Sequence, residues 1–345
     1  MAGLRIAVTI PAGNVRESFI PARVAGRLEE LGEVSWNPFE RQYTDGEMRE
    51  VLSAAEVCVT GWGVPRLTGE IVGGSRTLKM VAHTGGTVAP FITKELYDTG
   101  VKVISGNKLY ARSVAEGTVA YMLTALRNLP YFIGRTESSG WAYRQDEPFE
   151  GLLDQTVGLV GFGAISRYLA PMLKAFNASV YAYDPHAPAG VFESYGVTKA
   201  DSLEEMFPKV KIVSLHLPIN KETFHLIDAR LLSLVRDGAL FVNTARGACV
   251  DEKALAAELI TGRFRAILDV FEREPLPMDS GLRGLDNVLL VPHMAGPTAD
   301  RQPLVTLALA DDIARFMEGK PLEHEIGYEY GMSMTNEAAV SDMLK

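Results

Sequence analysis

The chain is 345 residues long, which at roughly 150 residues per domain points to two domains. Apolar residues make up 47% and charged residues 22%, a balance that excludes a natively unfolded chain. With 34 basic against 43 acidic residues the net charge is −9, which argues against a general affinity for nucleic acid or an anionic membrane, so an anionic ligand needs a local site.

The first region alternates short β-branched runs with helical patterns. LRIAVTI (4–10), EVSW (33–36), VCVT (57–60), KMVAH (79–83) and VKVIS (101–105) follow one another at about 20 to 25 residues, the spacing of a parallel sheet with helical crossovers. Helix patterns fill 21–31 and 45–55. From Ser113 a longer apolar period near 3.6 predicts a helix leaving this domain, with Pro130 interrupting late. A second strand series follows at 156–162, 179–184, 211–217, 239–244, 265–270 and 287–292, dense apolar runs of the kind buried on both faces of a sheet. A further helix is predicted over 304–320, and the polar tail from Gly327 reads as an arm or a partly disordered segment. Both regions are therefore α/β, each a doubly wound parallel sheet.

Two cysteines, Cys58 and Cys249, stand far apart without metal-ligand spacing, so neither a disulfide framework nor a zinc module is indicated. Arg5 and Pro11 interrupt the first apolar run, and no uncharged apolar stretch is long enough to span a bilayer. The expectation is a soluble, cytoplasmic protein without a bound metal.

TVGLVGFGAIS places Gly161 and Gly163 at the end of a predicted strand, with Ser166 where a G-x-G-x-x-G fingerprint has its third glycine. Gly161 permits the tight turn and Gly163 a close approach of backbone to a pyrophosphate. The helix opening at Ala164 and Ile165 offers unpaired N–H groups. Asp184 closes the next strand, 23 residues beyond Gly161, where a carboxylate accepts from the adenosine ribose hydroxyls. No arginine follows it to neutralise a 2′-phosphate, so NAD is preferred over NADP. The competing reading of Asp184 is a turn residue before Pro185.

Three later strand ends carry polar residues that a buried sheet does not need: NTARG (243–247), LDVFEREP (268–275) and VPHMAG (291–296). Ligands of open α/β sheets sit at carboxyl strand ends, which would let Arg246, Glu274 and His293 converge. The set suits a 2-keto acid. An arginine fork matches a carboxylate, a histidine exchanges a proton near neutrality, and a carboxylate beside it favours imidazolium.

In this order after the glycine turn, these motifs resemble the D-isomer-specific 2-hydroxyacid dehydrogenase family, over about Leu4 to Leu322. The resemblance implies that Arg246 binds substrate, Glu274 is the carboxylate partner and His293 the acid/base. It implies that Asp269 holds the nicotinamide carboxamide and that Pro218 and Thr244 line the cofactor. Ser113 to Glu116 and Trp141 agree with the family as well. The implied layout is a Rossmann NAD-binding domain, 108–298, inserted into a flavodoxin-like substrate domain made of 1–107 and 299–345. The implied partners are a small 2-keto or 2-hydroxy acid and a second copy of the chain in a homodimer.

One segment departs from the pattern. Where the family has an arginine, a G-x-G and an Asp-Asn pair, this chain reads His83, Thr84, Gly85, Gly86, Thr87, Val88, Ala89, Pro90. Thr84, Gly85 and Gly86 are expected to bind substrate, chiefly through backbone amides, but the usual substrate does not carry over. His83 is either a substrate contact or a strand cap. His216 fits packing as well as chemistry and stays outside the catalytic set, and Cys249 has no base nearby in sequence. Two rival readings remain: a non-catalytic NAD-responsive corepressor or scaffold, and a dehydrogenase of a one-carbon or inorganic acid.

Overall fold

The computed structural model describes residues 3–139, 141 and 149–343. The chain divides into two compact units, residues 1–110 with 297–338 and residues 111–296 with 339–345.

In the first unit β1 (Leu4–Val8), β2 (Gly32–Trp36), β3 (Val57–Thr60), β4 (Met80–His83) and β5 (Lys102–Ser105) form one parallel sheet in the order β2-β1-β3-β4-β5. That is the flavodoxin-like order of a doubly wound sheet. Every residue of β3 and β4 is buried, which is why both read as apolar runs that end in one polar residue, Thr60 and His83. On one side Val24, Leu28 and Leu31 of the helix Ala22–Leu31 meet Val305, Leu309 and Ile313 of the helix Gln302–Met317 over the sheet. The helix Asp45–Ala54 starts from a capping box in which Thr44 and Glu47 exchange side-chain and backbone hydrogen bonds.

The second unit carries β6 (Thr156–Val160), β7 (Ser179–Tyr183), β8 (Thr198–Lys199), β9 (Ile212–Leu215), β10 (Leu240–Asn243), β11 (Arg265–Leu268) and β12 (Val288–Leu290), all parallel, in the order β12-β11-β10-β9-β6-β7-β8. The order reverses between β6 and β9, the switch point at which such sheets take ligands. The edge strand β8 was not anticipated, because two exposed residues carry no periodicity.

Three boundaries differ from expectation. The long helix begins at Asn107, not Ser113, and ends at Leu126. After a turn in which Asn128 adopts φ 49, a second helix runs Leu129–Ser139 with Pro130 in its first turn, where the missing N–H has no helical acceptor to lose. The tail is packed rather than an arm. Tyr328–Met332 is helical, buried Met334 joins the core around Phe91 and Ile92, and Val340 packs with Ile219, Ala248 and Cys249. Residues 339–345, expected with the substrate domain, thus group with the second unit. No helix among the described residues is long and apolar enough to cross a membrane.

Candidate functional site

The glycine turn lies at the switch point of the second sheet. Gly161 follows β6 with φ 93, and a Cβ there would stand 2.7 Å from the His216 carbonyl oxygen just beyond β9. Glycine is thus required both for the backbone conformation and for the approach of the two strand ends. Gly163 differs: it caps the helix Ala164–Lys174 at φ −79, and a Cβ would meet nothing within 4 Å. With no side chain to cap it, that helix leaves the amides of its first turn, Ala164 and Ile165 among them, to an external acceptor. The space over Gly163 and the uncapped amides fit a pyrophosphate. Ser166 fills the third-glycine position without disturbing the turn, because its buried hydroxyl donates to the Gly161 carbonyl at 2.6 Å. Asp184, after β7, accepts from Phe162 N–H at 2.8 Å with one oxygen and from His186 and Ala187 N–H with the other. Asp184 closes its own turn and ties that turn to the glycine loop, and of about four acceptor sites on its carboxylate one remains for the ribose contact expected of it.

Arg246, Glu274, His293 and Asp269 all belong to the second unit, in the segments that follow β10, β11 and β12. The Asn243 side chain closes the first of these segments, accepting from Ala245 N–H at 3.0 Å and donating to the Arg246 carbonyl at 3.1 Å. Half-buried Arg246 donates through Nη1 to the Ala245 carbonyl at 2.6 Å. Gly247 then has Phe271 backbone directly where a Cβ would be, so only glycine lets the segment bearing Glu274 pass beside the arginine. Reciprocal backbone-to-carboxylate bonds between Glu252 and Glu272, at 3.0 Å each, hold the same segment to the helix Glu252–Ile260.

Glu274 Oε2 lies 2.8 Å from His293 Nδ1, and its Oε1 accepts from Phe271 N–H at 3.1 Å. Burial works to raise the Glu274 carboxyl, but the bonds from His293 and Phe271 and the nearby Arg246 charge outweigh it and pull the group below its ordinary value. The hydrogen bond to Glu274 lifts His293 above its ordinary value against the opposing effect of burial. The pair therefore favours imidazolium facing carboxylate, and it leaves Nε2 without a partner among the described residues. His293 sits at φ 53, a conformation that costs a non-glycine residue about 1 kcal/mol or more. Its backbone N–H, donating to the Asp269 carbonyl at 2.9 Å, helps hold it there.

Asp269 is only 1% exposed and accepts from Tyr121 Oη at 3.0 Å, Met294 N–H at 2.7 Å and Ala295 N–H at 3.0 Å. It is the anchor of the histidine loop. Of about four acceptor sites on a carboxylate, one remains for the carboxamide contact expected of it. Tyr121 and Gly117, on the helix Asn107–Leu126, went unnoticed in the sequence. A Cβ on Gly117 would lie 3.0 Å from the Ala295 carbonyl, so the helix and the loop are in contact. Their helical spacing of four was the available signal. Thr244 shares a hydroxyl contact with Thr118 at 3.0 Å, and the Pro218 carbonyl accepts from Thr223 Oγ1 at 2.7 Å. His216 is buried and bonded to Ser214 Oγ at 2.9 Å, and burial pushes it down to about 3, so it is a neutral packing residue. Cys249 is fully buried, its thiol pushed up to about 12 by burial.

The expected substrate segment lies in the first unit. Both donors of buried Thr84, N–H and Oγ1, reach the Thr60 carbonyl, at 2.9 and 3.1 Å, so its side chain serves the fold instead of a ligand. The carbonyls of Gly85 and Gly86 accept from Gly106 N–H and Asn107 Nδ2. That leaves the amides of Gly85, Gly86 and Thr87 as consecutive donors with no acceptor among the described residues, a set of groups able to bind an anion. His83 is a buried structural residue, bonded to Thr60 Oγ1 at 3.0 Å and packed on Phe91, with burial pushing it down to about 3.

A family model described as D-isomer specific 2-hydroxyacid dehydrogenase, NAD binding domain, matches residues 119–295. The chain is 32% identical over 300 residues to D-3-phosphoglycerate dehydrogenase of Methanocaldococcus jannaschii, a match that covers 87% of this chain and 56% of that protein. It thus spans little more than half of that relative. It is 32% identical over 271 residues to hydroxypyruvate reductase of Thermotoga maritima, covering 77% of this chain and 86% of that one. Among solved structures a phosphoglycerate oxidoreductase from Rhizobium etli superposes with a TM-score of 0.78 over 94% of this chain and 98% of that chain, at 22% identity, which speaks to the fold alone.

Proposed function

The chain belongs to the D-isomer-specific 2-hydroxyacid dehydrogenase family, and on that membership and the His293–Glu274 pair we propose that it interconverts a 2-keto acid and a D-2-hydroxy acid with NAD as cofactor. When bound, NADH supplies the hydride that reduces the substrate's C2, and NAD+ takes it back in the reverse direction. Protonated His293 gives its Nε2 proton to the substrate oxygen during reduction and recovers it during oxidation. Glu274, at Nδ1, holds the ring in orientation and stabilises its charge. Arg246 binds and polarises the substrate, and the amides of Gly85 and Gly86 take its carboxylate. Gly161, Gly163, Ala164 and Ile165 form the pyrophosphate cradle, Asp184 takes the ribose, and Pro218, Thr244 and the remaining acceptor site of Asp269 line the nicotinamide side. The reading includes a homodimer, which light scattering on the purified chain checks.

The observation that carries the proposal is the 2.8 Å carboxylate–imidazole contact with Nε2 left over for a substrate. The test is loss of NADH absorbance across a panel of 2-keto acids, with NADPH in parallel. Turnover with NADH, lowered about 10²- to 10⁴-fold in His293→Ala while NADH still binds, is the expected result. Wild-type turnover in that variant would remove His293 from the chemistry.

A further inference from the structure

The segment proposed to hold the substrate carboxylate has an aromatic neighbour that neither the fold nor the chemistry above uses. Trp62 follows β3 in Gly61-Trp62-Gly63 and leaves 46% of its surface exposed, at the carboxyl edge of the first sheet. A single exposed apolar residue needs no explanation. This one is held in place: its ring meets the rings of Phe19, Tyr110 and His83 at centroid distances of 5.2, 6.1 and 6.4 Å, each near edge-on, and its carbonyl accepts from Gln42 Nε2 at 2.5 Å.

The ring partners lead back to the unengaged amides. A Cβ on Gly85 would run into His83 Nε2, and one on Gly86 would lie 3.3 Å from Tyr110 Cγ. His83 and Tyr110 therefore stand against the two glycines on one side and against Trp62 on the other. Arg16, the cation after β1, is turned inward, donating to the Asn37 carbonyl at 2.7 Å and lying over the Trp36 ring. What borders the segment at this point is a fixed wall with one open aromatic surface, in which His83 Nε2 faces Gly85 and the buried Tyr110 hydroxyl has no hydrogen-bond partner among the described residues. The exposed Trp62 ring binds a flat or branched apolar group by dispersion and stacking, and itself offers a hydroxyl or phosphate no strong hydrogen bond.

We infer that Trp62 determines substrate choice, receiving the side chain at C3 of an aromatic or branched apolar 2-keto acid whose carboxylate lies on the Gly85–Gly86 amides. The inference rests on the proposed function and on that segment as the substrate site. Selection by such a wall amounts to about 10- to 200-fold in kcat/KM, the range of hydrophobic discrimination.

The experiment measures kcat/KM with NADH for pyruvate, 4-methyl-2-oxopentanoate, phenylpyruvate, hydroxypyruvate and phosphohydroxypyruvate in the wild type, Trp62→Ala and Trp62→Arg. In the wild type the branched or aromatic acid is expected to exceed both polar ones. Trp62→Ala is expected to lower kcat/KM for that acid about tenfold or more, mainly through KM, while pyruvate changes less than about threefold. Trp62→Arg is expected to lower the ratio of phenylpyruvate to phosphohydroxypyruvate as well, so the test does not hinge on one variant. A wild-type preference for a polar acid, or an equal loss across the panel in both variants, overturns the inference and leaves the dehydrogenase reading standing. No turnover with any 2-keto acid overturns both.

Discussion

Two glycines of one turn, two residues apart, are predicted to fail in opposite ways when given a methyl group. At Gly161 the methyl group meets a left-handed backbone, φ 93, which costs an L-residue about 1–2 kcal/mol, and a carbonyl oxygen 2.7 Å away. Relieving that overlap in a packed interior costs a further 1–3 kcal/mol or so. Gly161→Ala should therefore lose about 2–5 kcal/mol, a fall in Tm of roughly 5–15 °C for a domain of this size. At Gly163 the backbone is ordinary and a Cβ has no neighbour within 4 Å, so Gly163→Ala changes stability only by the weaker capping of alanine, within about 1 kcal/mol. What it blocks is the approach of an anion to the first-turn amides. Loss of one or two charge-assisted hydrogen bonds weakens NADH binding by about 10- to 100-fold. Thermal unfolding and titration of NADH fluorescence read the two effects separately. A Gly163→Ala protein that binds NADH as the wild type does would refute the pyrophosphate cradle. A Gly161→Ala protein that melts with the wild type would refute the close approach of β6 and β9.

The remaining predictions concern the histidine loop and the third-glycine position. Glu274 holds His293 above its ordinary value, and the proposed mechanism uses the protonated ring for reduction, so reduction is expected to fail as pH rises through the His293 value. Glu274→Gln lowers that value, so kcat/KM for reduction should fail at a lower pH than in the wild type, and an unmoved profile would remove Glu274 from its role. Asp269→Ala leaves three donors around a buried site without their acceptor. It should cost at least about 3 kcal/mol by chemical denaturation, and a stability within about 1 kcal/mol of the wild type would refute the anchoring role. Ser166→Ala loses the bond to the Gly161 carbonyl and should cost about 1 kcal/mol, with the NADH dissociation constant within roughly threefold of the wild type. A large loss of NADH affinity in that variant would mean that the hydroxyl itself touches the cofactor.

The strands were legible because a parallel sheet covered on both faces needs dense β-branched runs. Eleven of them could be placed to within a few residues, and only the two-residue edge strand β8 was missed. The helix starting at Asn107 was placed six residues late, since its first turn, Asn-Lys-Leu-Tyr, has no marked apolar period. In the site, Arg246, Glu274 and His293 were legible as polar residues at strand ends. Tyr121 and Gly117 were not, because their spacing of four shows only that they share a helix face and not which loop that face will touch. Thr84 was read as a substrate contact, but a hydroxyl next to a strand end has a local competitor in the neighbouring strand's carbonyl, and here Thr60 takes it.

Sequence alone determined the α/β class, the glycine turn with Asp184 after the next strand, and the identities of the histidine and carboxylate proposed as the acid/base pair. Each of these depends on local chemistry: chain spacing, backbone permissiveness, and side-chain proton affinity. Tertiary structure decided how those residues are engaged. It set Glu274 at hydrogen-bonding distance from Nδ1, filled three of the acceptor sites of Asp269, folded the tail onto Cys249, and stood Trp62 against His83 and Tyr110. These depend on which residues distant in the chain arrive at one place, and no spacing within a segment encodes the partner a side chain will find across a sheet.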